Sequence, residues 1–220
     1  QENHSLSFDG VDDNVLVNHS ASFEAMEYLT ISFDIKFNSY PSNYVNGGGW
    51  NIAGYRIIEK WEGSNTSRSF EINLHSEGTL LSDQSTQPAN LSACVNAGCW
   101  NAMSLDLLQL NEYNRIDLVF DGDSLRSYLQ GDLIQVIDIP DFEFITHENN
   151  PISIARSLVS SYNTSRSFPG QLDNFSIWEI PLTEDQVELY NNCSITGQEA
   201  GLVGYWNFNE GSGDTVYDIS

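Results

Sequence analysis

The clearest pattern along the chain is a strict alternation of apolar and polar residues between Leu29 and Phe37. The two sets have opposite parity: Leu29, Ile31, Phe33, Ile35 and Phe37 are apolar, whereas Thr30, Ser32, Asp34 and Lys36 are polar. A repeat of two residues is that of a β-strand. Because one face is apolar and the other polar, the pattern predicts a strand of an antiparallel sheet that packs on one side only.

Similar short segments recur along the chain and are separated by turn dipeptides such as Asp121-Gly122 and Gln130-Gly131. The further predicted strands lie within residues 6–17, 56–61, 69–74 and 113–134. Residues 83–101 are polar, and we expect a loop there. A chain of 220 residues is long enough for one all-β domain with a full core.

Residues 168–190 predict a turn, a strand, a break and a helix, in that order. Phe175 and Ile177 follow the period of a strand, and Pro181 ends it because proline cannot donate a ladder hydrogen bond. Thr183 has the character of a helix N-cap, with Gln186 at the capping-box spacing. One short helix near residues 183–191 is therefore predicted.

This segment resembles the last core strand and short helix of laminin-G-like, concanavalin A-like jelly-roll modules. The acidic segment LSFDGVDDNVLV at residues 6–17 and the strand meander at 113–134 are similar to further motifs of that family. The resemblance implies an all-β fold, a two-sheet antiparallel β-sandwich, formed by residues 1–220 as a single domain. Residues 201–220 resemble a segment that commonly precedes another such module. We expect this tail to form a C-terminal edge strand, a lead-in to a following module, or both.

The charge of the chain is strongly acidic, with 31 acidic against 8 basic residues and a formal net charge of −23. Binding to nucleic acid requires lysine and arginine to neutralise phosphates, so this balance argues against a nucleic-acid partner. It argues equally against adhesion to an anionic membrane surface. No apolar run approaches the roughly 20 residues of a membrane span. The N-terminal Gln1-Glu2-Asn3 is compatible with the mature start of a secreted protein.

Calcium is the metal that the acidic residues favour. Asp9, Asp12 and Asp13 offer hard oxygen ligands within five residues, although an acidic turn in an acidic protein is the competing interpretation. Asp173 shares the parity of Phe175, so we expect it to point inward, where it either caps backbone N–H groups or binds a cation. If the first and last core strands pair, as the resemblance implies, these carboxylates meet. The predicted Ca2+ ligands are Asp9, Asp12 and Asp173.

The three cysteines indicate one short-range disulfide. Cys94 and Cys99 bracket four residues of turn character and either close a small disulfide or remain free thiols. Cys193 is then left over, either buried or paired outside this chain. The spacing matches no zinc-binding pattern.

The candidate ligand-binding residues are aromatic. Residues 40–55 combine turn residues with aromatic side chains, and a long loop of this kind is commonly functional. The candidates for stacking on sugar rings are Tyr40, Tyr44, Trp50 and Tyr55, with Trp100 from the segment 83–101. The alternative is that these aromatic side chains only attach the loops to the body of the domain.

Catalysis has little support in the sequence, although the jelly-roll superfamily includes glycoside hydrolases. Retaining hydrolysis needs two carboxylates about 5 Å apart. No Glu-x-Asp-x-x-Glu motif is present, and Glu71 and Glu143 lack a partner at that spacing. The sequence therefore predicts a non-catalytic, calcium-stabilised glycan-binding module of a larger secreted or cell-surface protein. The alternatives are an adhesin or structural repeat that contacts protein, and a polysaccharide-degrading enzyme.

Overall fold

The fold is a sandwich of two antiparallel β-sheets, as predicted. The computed structural model describes residues 4–23, 26–41, 54–61, 69–75, 79–80, 86–87, 89–96, 98–139, 150–158 and 166–220. Within this part of the chain, every paired strand is antiparallel to its neighbour. No helix among the described residues is long and apolar enough to cross a membrane.

One sheet has seven strands and carries the predicted strand at Leu29. Its spatial order is β1 (Leu6–Asp9), β14 (Pro169–Trp178), β3 (Leu29–Lys36), β10 (Asn114–Phe120), β11 (Ser124–Leu129) and β12 (Asp132–Asp138), with β15 (Leu202–Trp206) also paired with β14. The ten-residue β14 organises this sheet. It pairs with β3 on one side, while β1 and β15 pair with its first and second halves on the other.

The second sheet has six strands. Its spatial order is β2 (Val15–Val17), β13 (Ile152–Ile154), β4 (Gly54–Lys60), β5 (Phe70–His75), β8 (Asn90–Val95) and β9 (Gly98–Ser104). A separate two-stranded ladder joins β6 (Thr79–Leu80) and β7 (Thr86–Gln87). Short 3-10 turns occupy Ala21–Phe23 and Leu105–Leu107.

The core lies between the two sheets and contains the apolar positions of the alternating strands. Leu29, Ile31, Phe33, Ile35 and Phe37 are all buried there, which confirms the sequence interpretation of this strand. From the opposite sheet, residues such as Ile58, Ile72 and Leu91 join the same cluster. Each fully buried side chain of this size contributes about 1.5–3 kcal/mol relative to leaving it exposed.

The predicted helix is α1 (Glu184–Asn192), and it packs on the outer face of the seven-stranded sheet. Thr183 caps it with both reciprocal hydrogen bonds of the capping box: Gln186 N–H donates to Thr183 Oγ1 at 3.3 Å, and Thr183 N–H donates to Gln186 Oε1 at 2.9 Å. Val187 and Leu182 join a second, smaller apolar cluster there with Trp178. The outer face of this sheet is therefore partly covered.

The prediction of a loop over residues 83–101 was wrong, since β8 and most of β9 lie in this range. Leu91, Ala93 and Val95 alternate toward the core while Asn90, Ser92 and Cys94 face outward. The polar residues at the outward-facing positions gave the segment a polar character, so the period of two was not recognised in the sequence. In the tail, residues 202–206 form β15, and a role as lead-in to a following module stays a prediction.

Candidate functional site

The acidic turn lies between β1 and β2 and brings three carboxylates together. Asp9, Asp12 and Asp13 are exposed, and each offers an oxygen atom such that all three lie within 4.8 Å of one another. Carboxylate oxygens at such spacing are the ligands that calcium prefers. Of the predicted metal ligands, the structure thus brings Asp9 and Asp12 together and adds Asp13.

Hydrogen bonds fix the shape of this turn. Val11 N–H donates to Asp9 Oδ1 at 2.7 Å, and Asp9 N–H donates to Asp13 Oδ2 at 2.9 Å. Two backbone carbonyls of the turn are held from elsewhere, since Arg156 Nη1 donates to Asp12 O and Ser167 Oγ donates to Val11 O, both at 3.1 Å. Among the described residues, no further hydrogen bond occupies the carboxylate oxygens of this turn, which suits the ligation of a cation.

Asp173 is not part of this cluster, contrary to the predicted ligand set. Asp9 pairs with Pro169 across β1 and β14, so Asp173 lies four residues further along the strand, about 14 Å away at 3.4 Å per residue.

The expected inward orientation of Asp173 was also wrong. A β-bulge at Asn174, which has a φ of +49°, reverses the parity, and both Leu172 and Phe175 enter the core. Asp173 therefore lies on the outer face, where it is 4 % exposed.

Among the described aromatic candidates, Tyr55 hydrogen-bonds Ser39, the neighbour of Tyr40, whereas Trp100 lies elsewhere. Tyr44 and Trp50 lie outside the described residues. Tyr40 packs edge-on against Phe37, and its hydroxyl donates to Leu108 O at 3.2 Å. Tyr55 packs against Phe168 with a ring distance of 6.1 Å, and burial raises the pKa of its hydroxyl.

Trp100 lies apart from Tyr40 and Tyr55. It packs against Phe120, which pairs with Leu29 at the start of β3, whereas Tyr40 follows the other end of that strand. The length of β3 separates these positions by roughly 20 Å. The three described candidates each contact the body of the domain, and their role in ligand binding stays a prediction.

Cys94 and Cys99 form a disulfide. They stand opposite each other in the ladder between β8 and β9, so the bridge closes the hairpin. Cys193 is a free thiol and is exposed, which excludes the expectation that it is buried.

A cleft of about 830 Å³ adjoins the acidic turn. It lies between the β1–β2 hairpin and the C-terminal segment 208–216. The polar residues of the lining include His4, Asp13, Asn14, Glu210, Asp214 and Thr215, and its accessible apolar residues are Leu16 and Val216. A volume of this size is in the range of ligand-binding pockets.

The outer face of the six-stranded sheet carries a buried charged cluster that the sequence did not reveal. Glu59 on β4 pairs directly with Glu71 on β5. Arg56 contacts both, with its Nε 2.9 Å from Glu59 Oε2 and its Nη1 against Glu71 Oε1, and it also donates to Asn73 Oδ1. The absence of a motif partner for Glu71 concerned spacing along the sequence, and Glu59 faces Glu71 from the neighbouring strand instead. The alternation of polar and apolar residues in these two strands was visible in the sequence. The register that places Glu59 opposite Glu71 was not.

The environment of Glu59 is unusual for a carboxylate. Burial raises its pKa, although Arg56, the Leu158 N–H at 2.6 Å and the Ser157 hydroxyl at 3.1 Å oppose the shift. The two glutamates share one guanidinium and are both buried. This arrangement is that of an ion-paired cluster, in which the acceptor oxygens of Glu59 are already occupied.

A family model described as the concanavalin A-like lectin/glucanases superfamily, of laminin G type, matches residues 9–188. The chain belongs to this family. No curated protein matches the chain in sequence.

Several solved structures share the fold. A protein from Bacteroides ovatus assigned as carbohydrate binding superposes with a TM-score of 0.70 at 14% identity over 94% of this chain. This chain spans 54% of that protein. The SAP-like pentraxin of Limulus polyphemus superposes with a TM-score of 0.62 at 17% identity, over 96% of this chain and 89% of the pentraxin. Domain 4 of the arabinanase AbnA from Geobacillus stearothermophilus, in complex with arabinotriose, has a TM-score of 0.54 at 11% identity over 84% of this chain and 74% of that one. At these identities the likeness concerns the fold.

Proposed function

We propose that the protein is a non-catalytic carbohydrate-binding module of a larger secreted or cell-surface protein, stabilised by calcium at the acidic turn. The observation that carries this proposal is the cleft of about 830 Å³ beside Asp13, with its polar lining. A sugar offers hydroxyl groups to carboxylate, amide and hydroxyl side chains, and its C–H face contacts accessible apolar groups such as Leu16 and Val216. The cleft supplies both kinds of contact.

Two further observations support glycan binding and secretion, respectively. The structurally similar proteins include one assigned as carbohydrate binding and one solved with arabinotriose. The disulfide is typical of an oxidising compartment, which fits secretion.

The charged cluster supports the absence of catalysis. Retaining hydrolysis requires one carboxylic acid and one free carboxylate about 5 Å apart. Among the described residues, the facing pair Glu59 and Glu71 is buried and shares the Arg56 guanidinium, so neither carboxylate is available to a substrate. We expect no release of reducing ends from polysaccharides at high protein concentration.

A glycan array followed by calorimetric titration tests the function and the position of the site. Asn14→Ala removes an exposed amide from the cleft, and Trp50→Ala removes an aromatic candidate of the segment 40–55. Asn101→Ala, an exposed amide on β9, is the matched control. We expect Asn14→Ala to weaken glycan binding by several-fold while Asn101→Ala leaves it unchanged.

The outcomes separate the candidates. If only Trp50→Ala weakens binding, the site lies on the segment 40–55, and the cleft is not the glycan-binding site. If no glycan binds, the proposed function fails, and an adhesin or structural repeat that contacts protein is the next candidate. Measurable hydrolysis overturns the non-catalytic assignment.

A further inference from the structure

A second pocket, of about 280 Å³, lies on the outer face of the seven-stranded sheet and shares no lining residue with the cleft. We call it the outer-face pocket. The lining groups that matter here are Asp34, Tyr113, Arg115, Asn174, Tyr190 and Tyr205. Its floor is the sheet, and its rim includes residues 190–195, which contain the end of α1 and the segment that follows.

The strand pattern places these side chains together. Phe33 and Ile35 enter the core, so Asp34 faces outward between them, and Arg115 does so beside the buried Ile116. Asp34 and Arg115 are paired residues of the β3–β10 ladder. The bulge in β14 places Asn174 at the same pocket, and β15 contributes Tyr205.

Hydrogen bonds hold the floor of the pocket rigid. Asn174 Nδ2 donates to Asp34 Oδ2 at 2.7 Å, and the Tyr205 hydroxyl donates to Asn174 Oδ1 at 3.0 Å. Burial raises the pKa of Tyr205 to about 12, so its hydroxyl remains a donor at neutral pH. Arg115 donates through Nε and Nη2 to Asp117 Oδ1 at 3.3 and 3.2 Å, which fixes the guanidinium plane.

One acceptor and one donor on this floor remain available. Asp34 Oδ1 and Arg115 Nη1 are 3.9 Å apart, which is too far for a hydrogen bond between them. Neither atom makes a hydrogen bond to another described residue. A carboxylate oxygen beside a guanidinium N–H is complementary to two adjacent hydroxyl groups, because one hydroxyl donates to the carboxylate and the other accepts from the guanidinium.

The charge and size of the pocket narrow the class of ligand. Arg115 is shared between Asp34 and Asp117, so the charge at the floor is negative and disfavours an anionic ligand. The other lining groups are amides, hydroxyls and aromatic rings, which suit a neutral ligand that carries hydroxyl groups. A volume of about 280 Å³ holds roughly nine water molecules at about 30 Å³ each, which corresponds to one sugar ring. The exposed ring of Tyr113 and the Tyr190 ring, which stacks on Trp178 at 5.0 Å, offer apolar surface at the rim.

We propose that the outer-face pocket binds a single neutral sugar residue, with Asp34 Oδ1 and Arg115 Nη1 holding two adjacent hydroxyls. This site is separate from the cleft of the proposed function. The ligand residue is the end or a side branch of a glycan, because the pocket accommodates only one ring.

The test is a titration of the 15N-labelled protein with the methyl glycosides of glucose, galactose and mannose, followed by NMR. At least one of these probes is expected to shift the side-chain amide signals of Asn174, Gln130 and Asn191, which all lie at the pocket.

Two variants test the residues of the floor. Asp34→Asn keeps the shape of the side chain but replaces the charged acceptor, and we expect affinity to fall about tenfold. Tyr205→Phe keeps the ring and removes the hydroxyl that orients Asn174, and we expect affinity to fall as well.

Asp138→Asn is the matched control, since this exposed aspartate lies on β12 outside the pocket and undergoes the same chemical change. Unchanged affinity in this variant, together with losses in Asp34→Asn and Tyr205→Phe measured on folded protein below the melting temperature of each variant, supports the proposal. Equal affinity in all three variants overturns it. A different result separates the two proposals: no methyl glycoside shifts the pocket amides, while a glycan still binds and Asn14→Ala weakens that binding. In that case the outer-face pocket is not a sugar-binding site, and the proposed function stands.

Discussion

Glu59 on β4 stands directly opposite Glu71 on β5, and both carboxylates contact the guanidinium of Arg56. All three side chains are buried on the outer face of the six-stranded sheet. Two like charges at cross-strand distance repel each other, so the arrangement depends on the shared cation. Arg56 thus converts a repulsive pair into an ion-paired cluster.

Removal of Arg56 is expected to destabilise the fold strongly. Arg56→Met keeps most of the side-chain volume but leaves two buried carboxylates without their cation, which costs about 3–5 kcal/mol. Urea denaturation of the purified variant measures the loss. Asp121→Asn is the control, because the ion pair of Asp121 with Arg126 is partly exposed on both sides, where about 0–1 kcal/mol is expected. Equal losses in the two variants contradict the role given to Arg56.

Calcium is expected to raise the melting temperature after exhaustive chelation. A ligand that binds only the folded state stabilises it by about 2.7 kcal/mol at one hundred times its Kd. Asp12→Asn removes one of the clustered carboxylates and is expected to reduce the shift. Asp173→Asn is expected to leave the calcium-dependent shift intact, because Asp173 lies about 14 Å from Asp9 along β14. Loss of the shift in Asp173→Asn alone contradicts this placement.

The disulfide is expected to contribute modestly to stability because it closes a short loop. For the six residues from Cys94 to Cys99, loop-closure entropy gives about 2 kcal/mol. The double variant Cys94→Ser/Cys99→Ser, compared with the parent by urea denaturation, measures this contribution. Cys193→Ser serves as control and background, since that thiol is exposed and we expect its replacement to be neutral. A double variant as stable as the control rules out this contribution.

The buried carboxylate of Asp34 is expected to make stability depend on pH. Burial is the main cause that raises the pKa of Asp34, and nearby Asp117 adds to it, while Arg115 and the amide of Asn174 oppose the shift. Because the folded pKa lies above the unfolded one, the contribution to stability is fully present below the unfolded pKa of about 4 and is lost as pH rises through the folded pKa.

Asp34→Asn lacks this titration, so its stability is expected to fall less than that of the parent as pH rises above about 4. Thermal melts of both proteins across this pH range provide the comparison. Asp138→Asn, at an exposed position, is the control and should follow the parent. Parallel curves for the parent and Asp34→Asn contradict the raised pKa.

The short-range features of this protein follow from local rules, and the sequence predicted them. The alternation from Leu29 to Phe37 specifies a strand with one buried face, and Thr183 with Gln186 specifies the start of α1. These predictions succeed because a period of two and a capping box depend only on residues that are close in the chain. The family resemblance then supplied the two-sheet arrangement, which the fold and the family match confirm.

The tertiary structure alone decided which residues meet. The bulge at Asn174 turned Asp173 to the outer face, and the register of β1 on β14 separated it from Asp9. The pairing of β4 with β5 placed Glu59 opposite Glu71, and the pairing of β3 with β10 placed Asp34 beside Arg115. The sequence by itself determined the strands, the helix and the acidic surface. Register and bulges were settled only in the folded sheets, because a shift of one residue in pairing reverses the face to which every side chain points.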